Sequence, residues 1–262
     1  MERLVTAIKR LFVLLCGFEI IPKTISTRDR GERFIISVPI TAYLLDTTEG
    51  WVLFDTGLDA ANLREPRLTE LYTSKGWDPP PVVRPSHDLA SQLAAIGISF
   101  ADIGHVILSH LHADHSGHLK HLRHARVTIQ RREYDYAFSG KARPSWFPSD
   151  YDFPDIDWHL IDGDFDVMSG LQILDTRGHS PGHQSLVVEL PQTGTVVLAA
   201  DVGDLMENFE QEILPGESVD DEAALAAIRR LNRIVAEQDA MLLLTHDPDQ
   251  VQRIRLAPDC YD

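Results

Sequence analysis

Five short apolar runs in this chain share one feature: each stops at, or just before, a histidine or an aspartate. WVLFDTG (51–57) meets Asp55, and VILSHLHADH (106–115) runs into His110, His112, Asp114 and His115. LQILDTRGHSPGH (171–183) leads to His179 and His183, TVVLAADVGD (195–204) to Asp201, and MLLLTHDPD (241–249) to His246. Short continuous apolar runs bounded by Gly, Pro, Asp or Thr read as strands buried on both faces. If such strands share a sheet, their terminal polar residues line a common edge. The pattern therefore restricts the chain to a layered fold that carries its chemistry along one edge.

Helical patterns lie between the runs. SHDLASQLAAIG (86–97) opens on Ser86 as N-cap and stops at Gly97. DDEAALAAIRRLNRIVAEQ (220–238) has acids in its first turn and an apolar stripe at Ala224, Leu225, Ile228, Leu231 and Val235. GHLKHLRHA (117–125) reads as a further helix, with His118, His121 and His124 solvated on one face. Alternating strands and helices predict an α/β domain, and 262 residues are enough for one large domain spanning 1–262.

Two segments break the rhythm. Residues 59–85 are polar and proline-rich, and residues 134–158 hold eight aromatics among prolines and aspartates. Both are expected to be substrate-pocket or interface loops. Tyr134, Phe138, Trp146 and Phe147 are the candidate apolar wall; a subunit contact, and with it a homodimer, is the other use of such a segment. The start, MERLVTAIKRLFVLLCGFEII, has basic residues before an apolar run but no small-residue cleavage site, and Glu19 interrupts it. It is read as a first strand. No run reaches the length of a membrane span. Two cysteines, Cys16 and Cys260, point to reduced thiols and a cytoplasmic setting. A net charge of -16 argues against a nucleic-acid partner, since phosphate binding needs clustered Lys and Arg.

The densest chemistry is SHLHADHSGH (109–118). His110 and His112 are two apart on a segment leaving a strand, so their rings can face the same way. Asp114 and His115 follow where the chain turns, and can aim at a second point a few ångströms away. His179, Asp201 and His246 raise the count to five histidines and two aspartates. That is enough to hold two divalent metals with one shared carboxylate. Zinc suits these donors, with Fe, Co, Mn or Ni as the alternatives. His183 is read as a residue that orients a ligand rather than one itself. His87, His105 and His159 carry no ligand claim.

This set resembles the metallo-β-lactamase superfamily. SHLHADHSGH, the phrase GHSPGHQS, ENFE (207–210) and the closing THD resemble its N-acyl-homoserine lactonase group, nearly end to end. The resemblance implies a four-layer αβ/βα sandwich with a dinuclear site at one edge. It places His110, His112 and His179 on the first metal and Asp114, His115 and His246 on the second. Asp201 bridges, and Asp55 orients the site. The implied chemistry is opening of a small-molecule lactone or ester by a metal-bridging hydroxide, with Asp114 moving the proton. Two departures stand out. Asp204 occupies the position of a Tyr that the group places against the substrate carbonyl, so Asp204 enters as a catalytic candidate of open role. Arg177 replaces the Pro of the usual Thr-Pro-Gly-His. The rival readings are a thioesterase of the glyoxalase II kind, another cyclic-ester hydrolase, an iron-dependent oxidoreductase and a non-catalytic metal binder. The di-iron oxidoreductases favour Glu where this chain has His112.

Overall fold

The computed structural model describes residues 6–64, 66, 69, 70, 73, 79–143 and 145–262. All five apolar runs begin in a strand and end in the loop that follows it, and they divide between two sheets. The first has six strands in the order β1 (Ile8–Pro22), β2 (Ile35–Thr47), β3 (Gly50–Phe54), β4 (Ile103–Ile107), β5 (Arg126–Gln130) and β6 (Asp157–Ile161). Its β1–β2–β3 part is antiparallel and its β3–β6 part parallel. The second sheet runs β7 (Phe165–Met168), β8 (Leu171–Asp175), β9 (Gln184–Leu190), β10 (Gly194–Leu198) and β11 (Met241–Leu243). It is antiparallel except for the β10–β11 pair.

Side-chain alternation builds the layers. In β3, Val52 and Phe54 face the second sheet while Leu53 faces outward; in β10, Val196 and Leu198 face inward and Val197 outward. The inward residues of both sheets form one central core. Leu53, Val106 and Val127 pack outward with Leu89, Leu93 and Leu119 of the flanking segments. Val187 and Val197 pack against Ala227, Ile228 and Leu231 of the helix Asp221–Gln238. The result is helix, sheet, sheet, helix: the expected four-layer sandwich. Burying Ile228 and Leu231 contributes about 1.5–3 kcal/mol each. That helix starts where the sequence predicts, with Asp220 accepting from the Ala223 amide. The opening apolar segment is indeed a strand, β1, and no described helix is long and apolar enough to cross a membrane.

Three expectations change. The helix after residue 86 begins at Leu89 with Asp88 as its N-cap; Ser86 lies in a preceding 3-10 turn, Pro85–His87, because Pro85 starts that turn. GHLKHLRHA is not a helix but a one-turn 3-10 segment, Leu119–His121, after a single turn at Ala113–Ser116. His118 is consequently buried rather than solvated, donating from Nδ1 to the Thr56 carbonyl (2.9 Å) with Nε2 3.6 Å from Asp88. The segment 59–85 contains the helix Ala60–Arg64, and its residues 65, 67, 68, 71, 72 and 74–78 lie outside the described residues.

Candidate metal centre

Strand direction brings the site together. Asp55 follows β3 and His110 follows β4, which is parallel to it. His179, Asp201 and His246 follow β8, β10 and β11, which run one way because β8 and β10 each pair antiparallel with β9. The Gly178 backbone (φ +138) and Gly182 let the loop after β8 close tightly. A Cβ on Gly178 would stand 2.2 Å from the Ala224 nitrogen, and one on Gly182 2.5 Å from the Glu133 nitrogen.

Two groups of buried ligand atoms result: His110, His112, His179 and Asp201, and Asp114, His115, Asp201 and His246. Asp201 belongs to both, and its oxygens divide between them. Oδ2 lies 3.6 Å from His110 Nε2 and 3.4 Å from His179 Nε2. Oδ1 lies 3.2 Å from His115 Nε2 and 3.3 Å from His246 Nε2. Asp114 Oδ2 is 3.1 Å from His115 Nε2 and 3.5 Å from His246 Nε2, and His112 Nδ1 is 3.2 Å from His179 Nε2. Donors about 2.0–2.1 Å from a tetrahedral ion stand roughly 3.3 Å apart. The measured separations surround that value.

The opposite ring nitrogens are already committed. His115 Nδ1 donates to Asp55 Oδ2 (2.8 Å), His246 Nδ1 to the Pro39 carbonyl (2.8 Å), and His179 Nδ1 to the Glu217 carbonyl (3.2 Å). His110 Nδ1 donates to Ser109 Oγ (2.9 Å), which in turn donates to Asp55 (2.8 Å). These bonds fix the tautomers so that lone pairs point into the two groups. Buried His110 Nε2, His115 Nε2 and Asp201 Oδ1 have no hydrogen-bond partner. Orphaned buried groups cost about 1–3 kcal/mol each, a penalty that a cation at each group removes. The residues therefore fit two ions. Electrostatics agree. Burial and the neighbouring imidazoles hold His110 and His112 neutral, well below the usual histidine range. At His115, burial is outweighed by Asp114, Asp201 and Asp55, which favour positive charge there.

His183 is outside both groups. Its Nε2 accepts from the Asp201 amide (3.0 Å) while Nδ1 faces the Thr176 carbonyl (3.1 Å), and burial keeps the ring neutral, its pKa lowered to about 3. It anchors the backbone that carries Asp201. Glu133, unexpected from sequence, is fully buried. It accepts from Leu111 N (3.2 Å), Trp146 Nε1 (2.9 Å), Ser180 Oγ (2.6 Å) and Gly182 N (2.9 Å), tying the loop after β4 to the loop after β8.

The sequence pattern of the metallo-beta-lactamase superfamily matches residues 37–246. The chain belongs to this superfamily. An N-acyl homoserine lactonase of Bacillus cereus is 33% identical over 225 residues, covering 86% of this chain and 88% of that protein. This places the chain in the superfamily's N-acyl-homoserine lactonase group. A crystal structure of a quorum-quenching N-acyl homoserine lactone lactonase superposes with a TM-score of 0.85 at 29% identity, covering 97% of this chain and 99% of that one. A second structure, of an N-acyl homoserine lactone hydrolase with the product N-hexanoyl-L-homoserine at its catalytic metal centre, gives 0.84 at 29% identity, covering 97% and 100%.

Within this metallo-β-lactamase frame a cavity of about 330 Å³ opens onto His112, Asp114, His179, Asp201 and His246. Its apolar wall is not the aromatic segment. Ile20, Ile21 and Ile25 supply it with Pro79, Pro81 and Pro215. Trp146 and Phe147 are buried in the outer core, and Tyr134 and Phe138 pack on one another and edge-to-face on Trp158. The reason is that the helix Arg131–Ala137 and the turn Pro148–Tyr151 fold Tyr134, Trp146 and Phe147 back onto the first sheet, while Phe138 stays 38% exposed against Tyr134 and Trp158. Trp146 touches the site only through the edge of His112, with ring centroids 4.1 Å apart. Asp204 does line the cavity, 7% exposed, and so does Glu19 of β1, which no sequence motif marks. Burial pushes Asp204 up to about 6, against the pull of His246. Burial and the Asp114 carboxylate push Glu19 up to about 8. Both mark negative charge that positive charge in the cavity would offset.

Proposed function

We propose that the chain is a dinuclear metallohydrolase that opens lactone rings, N-acyl-homoserine lactones and related small molecules among them. The observation that carries this reading is the division of Asp201 between two four-donor groups at the floor of one cavity. His110, His112 and His179 would hold one ion, Asp114, His115 and His246 the other, with Asp201 bridging. Zinc suits these nitrogen and carboxylate donors. Bound there, two divalent ions supply Lewis acidity toward an ester carbonyl and lower the pKa of water.

The chain's own groups do the rest. Asp55, through His115 and Ser109, holds two ligand rings at their working angle. Asp114 lines the cavity and would carry a proton to the departing alkoxide. The isoleucines and prolines of the wall exclude water and receive the apolar part of the substrate. The unpaired thiols of Cys16 and Cys260 support a cytoplasmic location. The test is a pH-indicator assay of the metal-loaded protein against lactones, linear esters and thioesters. Turnover of lactones above linear esters and thioesters is expected; turnover of thioesters alone would overturn the lactonase reading.

A further inference from the structure

A third group of ligand atoms, from Asp59, Asp88 and His118, lies apart from the other two. Asp59 is in the loop after β3, Asp88 caps the helix Leu89–Ile96, and His118 follows the turn Ala113–Ser116. Among the described residues that line the cavity, none of the three appears. His118 is 2% exposed, and its Nδ1 donates to the Thr56 carbonyl (2.9 Å). That bond fixes the tautomer and leaves the lone pair on Nε2. The buried Nε2 has no hydrogen-bond partner among the described residues; it faces Asp88 Oδ1 at 3.6 Å and Asp59 Oδ1 at 4.0 Å. A lone pair aimed at two carboxylate oxygens is repelled unless positive charge lies between them. A proton shared by His118 and Asp88, which would hold the Asp88 carboxyl below its usual range, is one way to supply it. Both gaps, however, exceed hydrogen-bond length and lie nearer the roughly 3.3 Å between donors around a single ion.

The surroundings favour a cation. Lys120 Nζ pairs with Asp59 Oδ2 (2.9 Å) and Asp150 Oδ1 (3.4 Å), so with Asp88 three carboxylates face one ammonium. We propose that His118 Nε2, Asp59 and Asp88 form a third cation site, a structural one, that takes a borderline divalent ion such as zinc. Water completes the coordination on the side where Asp88 is 31% exposed. The site ties three segments together beside the catalytic loop. Thr56 donates from N and Oγ1 to the His115 carbonyl (2.7 and 2.9 Å), and the His118 amide donates to Thr56 Oγ1 (3.1 Å). An ion on His118 therefore braces the backbone that carries His115. With three protein donors and Lys120 beside it, the site is weaker than the cavity pair, and desalting that spares the pair empties it. The proposal does not depend on the lactone-opening reading.

The test is calorimetric titration with zinc of protein that already carries its tightly held ions, with His118→Asn and Asp88→Asn measured beside wild type. His118→Asn keeps a donor for the Thr56 carbonyl and removes Nε2. Asp88→Asn keeps a good N-cap and removes a charge at a partly exposed position. Wild type should bind one further equivalent, and each variant should bind it about 10-fold or more weakly. The melting temperature should rise with zinc beyond the tightly held ions in wild type and much less in the variants. The tightly held ions should be unchanged in Asp88→Asn. No further equivalent in wild type would mean that a proton fills the gap, and would overturn the proposal. A further equivalent that survives either substitution at full affinity would place it elsewhere and overturn the proposal as well.

Discussion

Replacing Asp55 by Asn should weaken one metal position more than the other. The Asp55 carboxylate is fully buried and accepts three hydrogen bonds: Ser109 N at 2.7 Å, Ser109 Oγ at 2.8 Å and His115 Nδ1 at 2.8 Å. Its backbone is left-handed (φ 60), a conformation Asn adopts readily, so Asn changes the side chain without straining the turn. The amide keeps one acceptor oxygen and turns a donor toward groups that already donate. The charge-assisted bond to His115 is lost or made neutral, at a cost of about 1.5–3 kcal/mol. If that cost falls on ligation, affinity at the Asp114/His115/His246 group drops on the order of 10–100-fold, as changes to ligand-orienting partners do. The His110/His112/His179 group feels the change only through the Ser109 hydroxyl, so its loss should be smaller. Chelator competition, following release of each equivalent, separates the two positions. Equal weakening of both, or a change under about threefold at either, would refute the argument that Asp55 acts chiefly through His115.

Asp204→Tyr places a donor near the reacting carbonyl and should raise turnover of N-acyl-homoserine lactones about 5-fold or more, well short of the roughly 100-fold or greater effect of an ideally placed oxyanion donor; a fall in kcat would count against that geometry. Glu133→Gln leaves a buried amide group facing one of four donors, and chemical denaturation should show a loss of about 2–3 kcal/mol. An unchanged midpoint would mean that the loops after β4 and β8 do not depend on it. Asp150 is fully buried, with Asn62 Nδ2 at 2.9 Å and Lys120 Nζ at 3.4 Å. Burial pushes its carboxyl up to about 6, only partly countered by Lys120. The folded state therefore holds that proton more tightly than the unfolded state, and stability is lost as pH rises from about 4 to 6. Relative to wild type, Asp150→Asn should gain roughly 2 kcal/mol in unfolding free energy between pH 4 and pH 7, and a flat difference would refute the assignment.

The metal-ligand candidates were legible because metal chemistry demands particular residue types, and all five apolar runs stop at or just before a His or Asp. The layering was legible for a related reason: residues such as Leu53 and Val197 are apolar on the face opposite Val52 and Val196, which only a doubly covered sheet requires. Glu133 was not, because RREYDYA is polar nearly all round and its buried face shows only in Glu133 and Ala137, one turn apart. Glu19 sits in β1, where burial depends on what packs over the strand end, a tertiary fact with no local mark. The three-residue spacing of His118, His121 and His124 fits a helix, whereas Gly117 donates its amide to the Gly57 carbonyl and packs against Asp59 instead of continuing one. The aromatic segment advertises bulk but not direction, and its rings turn toward the sheet instead of the cavity.

The account stands on Asp201 joining two metal positions. Elemental analysis of the protein reconstituted with zinc and freed of loose ions tests this directly, with Asp201→Ala measured beside it. The account predicts about two ions per chain for the wild type and no more than one for a folded Asp201→Ala, with most hydrolysis lost. A single ion in the wild type that excess metal does not raise, or two retained ions in Asp201→Ala, would contradict it.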